Sequence, residues 1–138
     1  MFRTAIILAG LSQIAIAATS LLIPRLLGWQ EETARLKPLT RQVFWTYATY
    51  TFATNLAFGL LSTFAPDLLL DGSRLAAIVS AFICLYWAAR VTLQFTYYDR
   101  TVAAARGMFR YAEVVYVSGF AYLVVVYGLA AAHNLRGA

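Results

Sequence analysis

Four apolar runs divide the chain, at roughly 4–23, 43–65, 75–98 and 109–132. Each is close to the ~20 residues that an α-helix needs to cross ~30 Å of hydrocarbon. This repeated length constrains the fold more than any other feature. Of the 138 residues, 62% are hydrophobic and 12% charged, against about 45–50% and about 25% in an average soluble domain. A soluble domain of this size cannot hide so much apolar surface. No ten-residue alternation points to a membrane barrel, so backbone hydrogen bonding in lipid must be satisfied within helices. The expected fold is all-α, a four-helix transmembrane bundle, with 1–138 as a single integral membrane domain and no separate soluble module.

Breakers separate the runs. Pro24 and Pro66 stop the first and second helices, because proline lacks an N–H and clashes with the preceding turn. Asp71-Gly72-Ser73 reads as a tight turn, with Ser73 or Asp71 as N-cap of the third helix, and Thr40 as a candidate cap of the second. Gly107 interrupts the chain before the fourth. Arg3, an apolar stretch and Ala15-Ile16-Ala17 resemble a secretory signal, but the run continues to Ile23, longer than a typical signal core, so a retained helix is expected. The segment 26–39 mixes Leu26, Leu27, Trp29, Leu36 and Leu39 with Glu31, Glu32, Arg35 and Lys37, a composition that suits a short amphipathic segment in the headgroup region as well as an ordinary polar loop with a Trp anchor.

The formal charge of +5 does not point to nucleic acid, since the basic residues lie between apolar runs. Arg25, Arg35, Lys37, Arg41, Arg100, Arg106 and Arg110 fall on one side, and Arg3, Arg74 and Arg136 on the other. The positive-inside rule then makes the connections 24–42 and 99–108 cytoplasmic and puts both termini outside, in an integral membrane protein of the bacterial inner membrane type.

Arg90 lies inside the third run, where a guanidinium costs at least ~2.5–3.5 kcal/mol on insertion scales. Glu113, in the fourth run, is the acidic side chain placed to meet it: Arg90 lies ~12 Å and Glu113 ~6 Å from the cytoplasmic end, an offset an arginine can span. Three- and four-residue spacing groups Tyr86, Trp87, Arg90, Gln94 and Tyr97 on the third helix, and Tyr47, Thr51, Thr54, Asn55 and Ser62 on the second. Gln13, Ala17 and Ser20 line up on the first, and Glu113, Tyr116 and Phe120 on the fourth. The candidate ligand-binding set is therefore Arg90, Glu113, Gln94, Asn55, Tyr86, Trp87 and Tyr47. Trp29, Trp45, Tyr97, Tyr98, Tyr111 and Tyr127 are expected at the membrane interfaces, with Tyr50 deeper.

No catalytic residue, metal site or cofactor is expected. The lone Cys84 excludes an intramolecular disulfide and reads as a buried, inert thiol, and the lone His133 reads as an interfacial polar residue. Nucleophile elbow, HExxH and phosphate-loop patterns are missing. The first functional expectation is a small non-enzymatic membrane protein, a subunit or accessory of a membrane assembly or a homo-oligomer. The alternative is a lipid-, quinone- or isoprenoid-binding protein or enzyme with a pocket centred on Arg90. The third is a proton-coupled transporter using Glu113, disfavoured because a carboxylate beside an arginine stays ionised. Membrane lipids, partner membrane subunits or further copies of the chain are the expected partners, and nucleic acid is not.

Overall fold

The computed structural model describes residues 1–98 and 107–137, and the side chains of 107–109 are outside that description. Among the described residues there are helices and no strands. Four helices are long: α1 (Phe2–Ser20), α4 (Pro38–Phe64), α5 (Arg74–Thr96) and α6 (Gly107–Gly137). Two short ones, α2 (Ile23–Leu26) and α3 (Trp29–Ala34), join α1 to α4, and a 3₁₀ turn at Pro66–Leu69 joins α4 to α5.

Local chemistry explains the boundaries. The ring of Pro24 would meet the carbonyl of Ser20 in a continuing helix, and α1 ends at Ser20. Pro66 pushes Ala65 out of the helical region to φ −133°, ending α4. Ser73 caps α5 as expected: its hydroxyl accepts from the Ala76 N–H at 3.0 Å. Thr40 does not cap. Helix α4 starts a turn earlier than expected, with Pro38 in its first turn, where a missing N–H costs nothing. Within 26–39, Trp29–Ala34 forms α3, with Trp29 against Phe44 and Trp45 and the Trp45 indole donating to Thr33.

Three segments are long and apolar enough to cross a membrane: Phe2–Leu26, Arg74–Thr96 and Arg110–Gly137. The expected span at 43–65 coincides with α4, which has the length but carries too many Thr, Tyr and polar residues to be apolar enough by composition.

The helices pack as two antiparallel pairs, α1 with α4 and α5 with α6, and α1 also reaches α6. Phe2 stacks on His133, Arg3 pairs with Asp67, and Gly72 lies against Gly137. These contacts gather the start of α1, the 66–73 turn and the end of α6 at one end of the molecule, here called the terminal end. The end of α1 with α2 and α3, and the end of α5, lie at the other, the connecting end. Asn134, fully buried, ties the terminal end together by accepting from the Gly72 N–H at 3.0 Å and donating to the Leu69 carbonyl at 2.8 Å.

Helices α1 and α4 cross at two glycines. A Cβ on Gly10 would lie 2.7 Å from the Thr63 backbone nitrogen and 2.9 Å from the Gly59 carbonyl oxygen. One on Gly59 would lie 3.0 Å from the Ile14 nitrogen. Only the missing side chains allow so close an approach.

Candidate functional site

Four buried side chains, one from each long helix, join in one polar network. Gln13 on α1, Ser62 on α4, Trp87 on α5 and Tyr127 on α6 are all essentially without solvent exposure. The Trp87 indole Nε1 donates to Gln13 Oε1 at 3.0 Å. Gln13 Nε2 donates to the Tyr127 hydroxyl, which also bonds Ser62 Oγ. Between Tyr127 and Ser62 either hydroxyl can be the donor. A polar group left unpaired here would cost several kcal/mol in an apolar medium (about 4–8 on a cyclohexane scale), so each member requires the others. Ile6, Ala9, Ile83, Phe120, Leu123 and Ala130 surround the network.

Tyr127 is thus not an interfacial anchor, as the sequence implied, but the centre of the interior, with 0% exposure. The stripe Glu113, Tyr116, Phe120 continues through Leu123 and Tyr127 to Asn134, and it was this continuation that could have found it.

Of the candidate ligand residues, Trp87 is consumed by this network and stacks on Phe120 with ring centroids 5.1 Å apart. Tyr47 points outward with 67% exposure, and so does Tyr50, expected deeper, with 65%. The interior face of α4 runs instead through Asn55, Gly59 and Ser62. Arg90 and Glu113, expected as an ion pair, have their described hydrogen bonds elsewhere. Arg90 Nη1 donates to the Tyr98 hydroxyl at 2.6 Å, and its guanidinium lies over the Tyr98 and Phe120 rings at 5.1 and 5.8 Å. Glu113 accepts from Gln94 Nε2 at 3.2 Å. Among the described residues the ion pair within 4.0 Å is Arg3–Asp67, which is exposed and worth ~0–1 kcal/mol.

A second cluster sits between α4 and α5. These helices do not approach closely along their backbones; Phe58 bridges them, edge-on to Phe82 and Tyr86. The amide of buried Asn55 faces the Tyr86 phenol, and Arg90 lies one turn further along α5 on the same face. Asn55 Oδ1 is buried with no hydrogen-bond partner.

Cys84 is half-buried, with Sγ donating to the Val124 carbonyl at 3.3 Å. His133 is accounted for by its stack on Phe2. No group of three or more potential metal ligands occurs among the described residues. At the connecting end, an open cleft of about 400 Å³ is lined by Trp29, Glu32, Thr33, Leu36 and Phe44. Outside the membrane-facing helices, the Ser73 hydroxyl and backbone N–H hold the Asp71 carboxyl below its ordinary range. Comparison with protein-family models, curated proteins and solved structures finds no match.

Proposed function

We propose that this chain is a four-helix transmembrane protein with a non-catalytic role, a subunit or accessory of a larger membrane assembly or an oligomer of itself. The observation that carries this reading is the Gln13–Tyr127–Ser62 and Trp87 network, in which the polar groups of all four long helices are used on one another. Polar groups spent in this way hold helices together and leave the recognition work to the outer surface. That surface is apolar: Leu75, Ile78, Phe82 and Leu85 on α5 and Val114, Val115, Val125 and Leu129 on α6 are exposed. Such faces suit lipid tails or a neighbouring helix.

Helix α4 belongs among the spans in this proposal. Its 27 residues reach ~40 Å. The hydroxyls of Thr46, Thr49 and Thr51 donate to the carbonyls of Gln42, Trp45 and Tyr47, so they carry little unmet polarity into lipid. The basic residues Arg25, Arg35, Lys37 and Arg41 favour a cytoplasmic connecting end, with both termini outside, and a bacterial inner membrane suits this arrangement. Native mass spectrometry of the protein extracted from its own membrane tests the role. A co-purifying membrane protein or a defined multiple of this chain is expected. A bare monomer under conditions mild enough to retain lipid would overturn the reading.

A further inference from the structure

The flank between α4 and α5 is built differently from the central network. In that network the buried polar atoms find partners, and the pairs α1–α4 and α5–α6 are in close contact. Here the two helices stand apart, bridged by Phe58, and polar groups face one another across the gap. Asn55 is more than nine-tenths buried, yet its Oδ1 has no donor. The Tyr86 hydroxyl faces the Asn55 amide and can still donate its own proton. Arg90, half-buried, has five N–H donors, and its described hydrogen bond to Tyr98 uses one. Tyr86 and Arg90 are separated by one helical turn, ~6 Å along α5.

We infer that this flank is a binding site for a phosphodiester-headed membrane lipid. Its phosphate sits on the Arg90 guanidinium, the ester carbonyl beneath takes the Tyr86 proton, and the acyl chains run down the apolar α4–α5 groove past Phe58 and Phe82. Asn55 Oδ1 accepts from a hydroxyl of the lipid's glycerol portion or from a water carried in with it. The sequence of donors, an arginine towards the membrane surface and a phenol one turn deeper, matches the order of phosphate and ester in a glycerophospholipid. Charge favours the same end, where Arg25, Arg35, Lys37 and Arg41 lie nearby in the connecting segment. Glu113, held by Gln94 one turn further towards that end, disfavours a dianionic monoester more than a singly charged diester. The site rests on the bundle crossing a membrane but not on any partner protein, so a failed search for a partner subunit leaves it untouched.

The test uses the full chain in nanodiscs of phosphatidylcholine doped with phosphatidylglycerol, released into native mass spectrometry. Wild type should retain one phosphatidylglycerol per chain, enriched at least tenfold over its share of the disc. Arg90→Gln should abolish the enrichment. Tyr86→Phe, which keeps the ring against Phe58 and Trp87, should weaken it severalfold. Arg136→Gln, a surface charge change at the terminal end, should leave it intact. Glycerol 1-phosphate added in excess should not displace the lipid; displacement would make the site one for a soluble phosphate and overturn the lipid assignment. Retention of both lipids in proportion to their supply, or enrichment that survives both Arg90→Gln and Tyr86→Phe, would also overturn it. If Arg90→Gln does not fold, Tyr86→Phe alone decides.

Discussion

Replacing Gly10 by alanine isolates what the close crossing of α1 and α4 contributes. The new Cβ would sit 2.5 Å from Thr63 Oγ1, 2.7 Å from the Thr63 nitrogen and 2.9 Å from the Gly59 oxygen, whereas ordinary contact begins near 3.4 Å. The threonine hydroxyl can rotate away, but the two backbone atoms cannot. The helices must therefore part by about 0.5–0.7 Å at this point. A radial gap of that size forfeits about a quarter of the attraction between facing atoms, and overpacking of this kind costs ~1–3 kcal/mol. Alanine also favours the helix by ~1 kcal/mol over glycine, which masks part of the loss. The chain supplies its own correction for that: a Cβ on Gly119, in α6, meets nothing within 4 Å. Gly119→Ala should be neutral or stabilising by up to ~1 kcal/mol, and the difference between the two variants should equal the packing cost, ~1–3 kcal/mol. Reversible unfolding in mixed micelles, followed by tryptophan fluorescence, gives both values. Equal stability of Gly10→Ala and Gly119→Ala would refute the claim that the glycine crossing holds α1 to α4.

Three further outcomes follow from the interior and the terminal end. Tyr127→Phe removes the hydroxyl that joins Gln13 to Ser62 and should cost ~1–2 kcal/mol in the same unfolding assay, from an average of ~0.6 and a maximum of ~1.7 kcal/mol per bond in membranes. Asn134→Ala orphans the Gly72 N–H and the Leu69 carbonyl and should destabilise by ~1–3 kcal/mol; hydrogen exchange should accelerate first at 69–76, and unchanged protection there would contradict the tethering role. The Asp71 carboxyl is depressed by Ser73, so its contribution is present above the ordinary aspartate pKa and is lost as pH falls through the lowered folded value. Protection at the α5 N-terminus, measured relative to intrinsic exchange at each pH, should therefore fall on acidification, and Asp71→Asn should remove that dependence.

The all-helical class and three of the spans were legible because apolar length and proline position act locally. Ser73 as a cap was legible for the same reason. The interior was only partly legible. Helical spacing correctly turned Gln13, Ala17, Asn55, Ser62, Trp87 and Phe120 inward. It failed at Tyr47, because the inward stripe of α4 starts from Ala48 and Phe52 and not from the polar residues of its first half. It also failed to pair Arg90 correctly. Depth along two helices says which residues share a level, but a side chain chooses among neighbours at that level, and Tyr98 on the same chain was nearer to Arg90. The Gly10–Gly59 crossing does have a sequence signal: glycine in a helix interior costs ~1 kcal/mol against alanine, so two of them facing each other imply an approach that needs them.

Helix α4 shows why hydropathy and membrane architecture come apart. A helix that buries one face against neighbours in lipid gains no hydrophobic energy from doing so, because lipid tails are as apolar as leucine. What binds it must be close packing and hydrogen bonds, and both need residues that lower its hydropathy. In α4 these are Gly59, which admits α1, and Ser62, which reaches Tyr127. The threonines on its outer turns add polarity that is satisfied within the helix itself. The residues that lower the hydropathy of α4 below that of a span are therefore among those that fasten it to α1 and α6. A sequence scale that scores each residue for its transfer to hydrocarbon counts those groups as a cost, although the fold satisfies them internally.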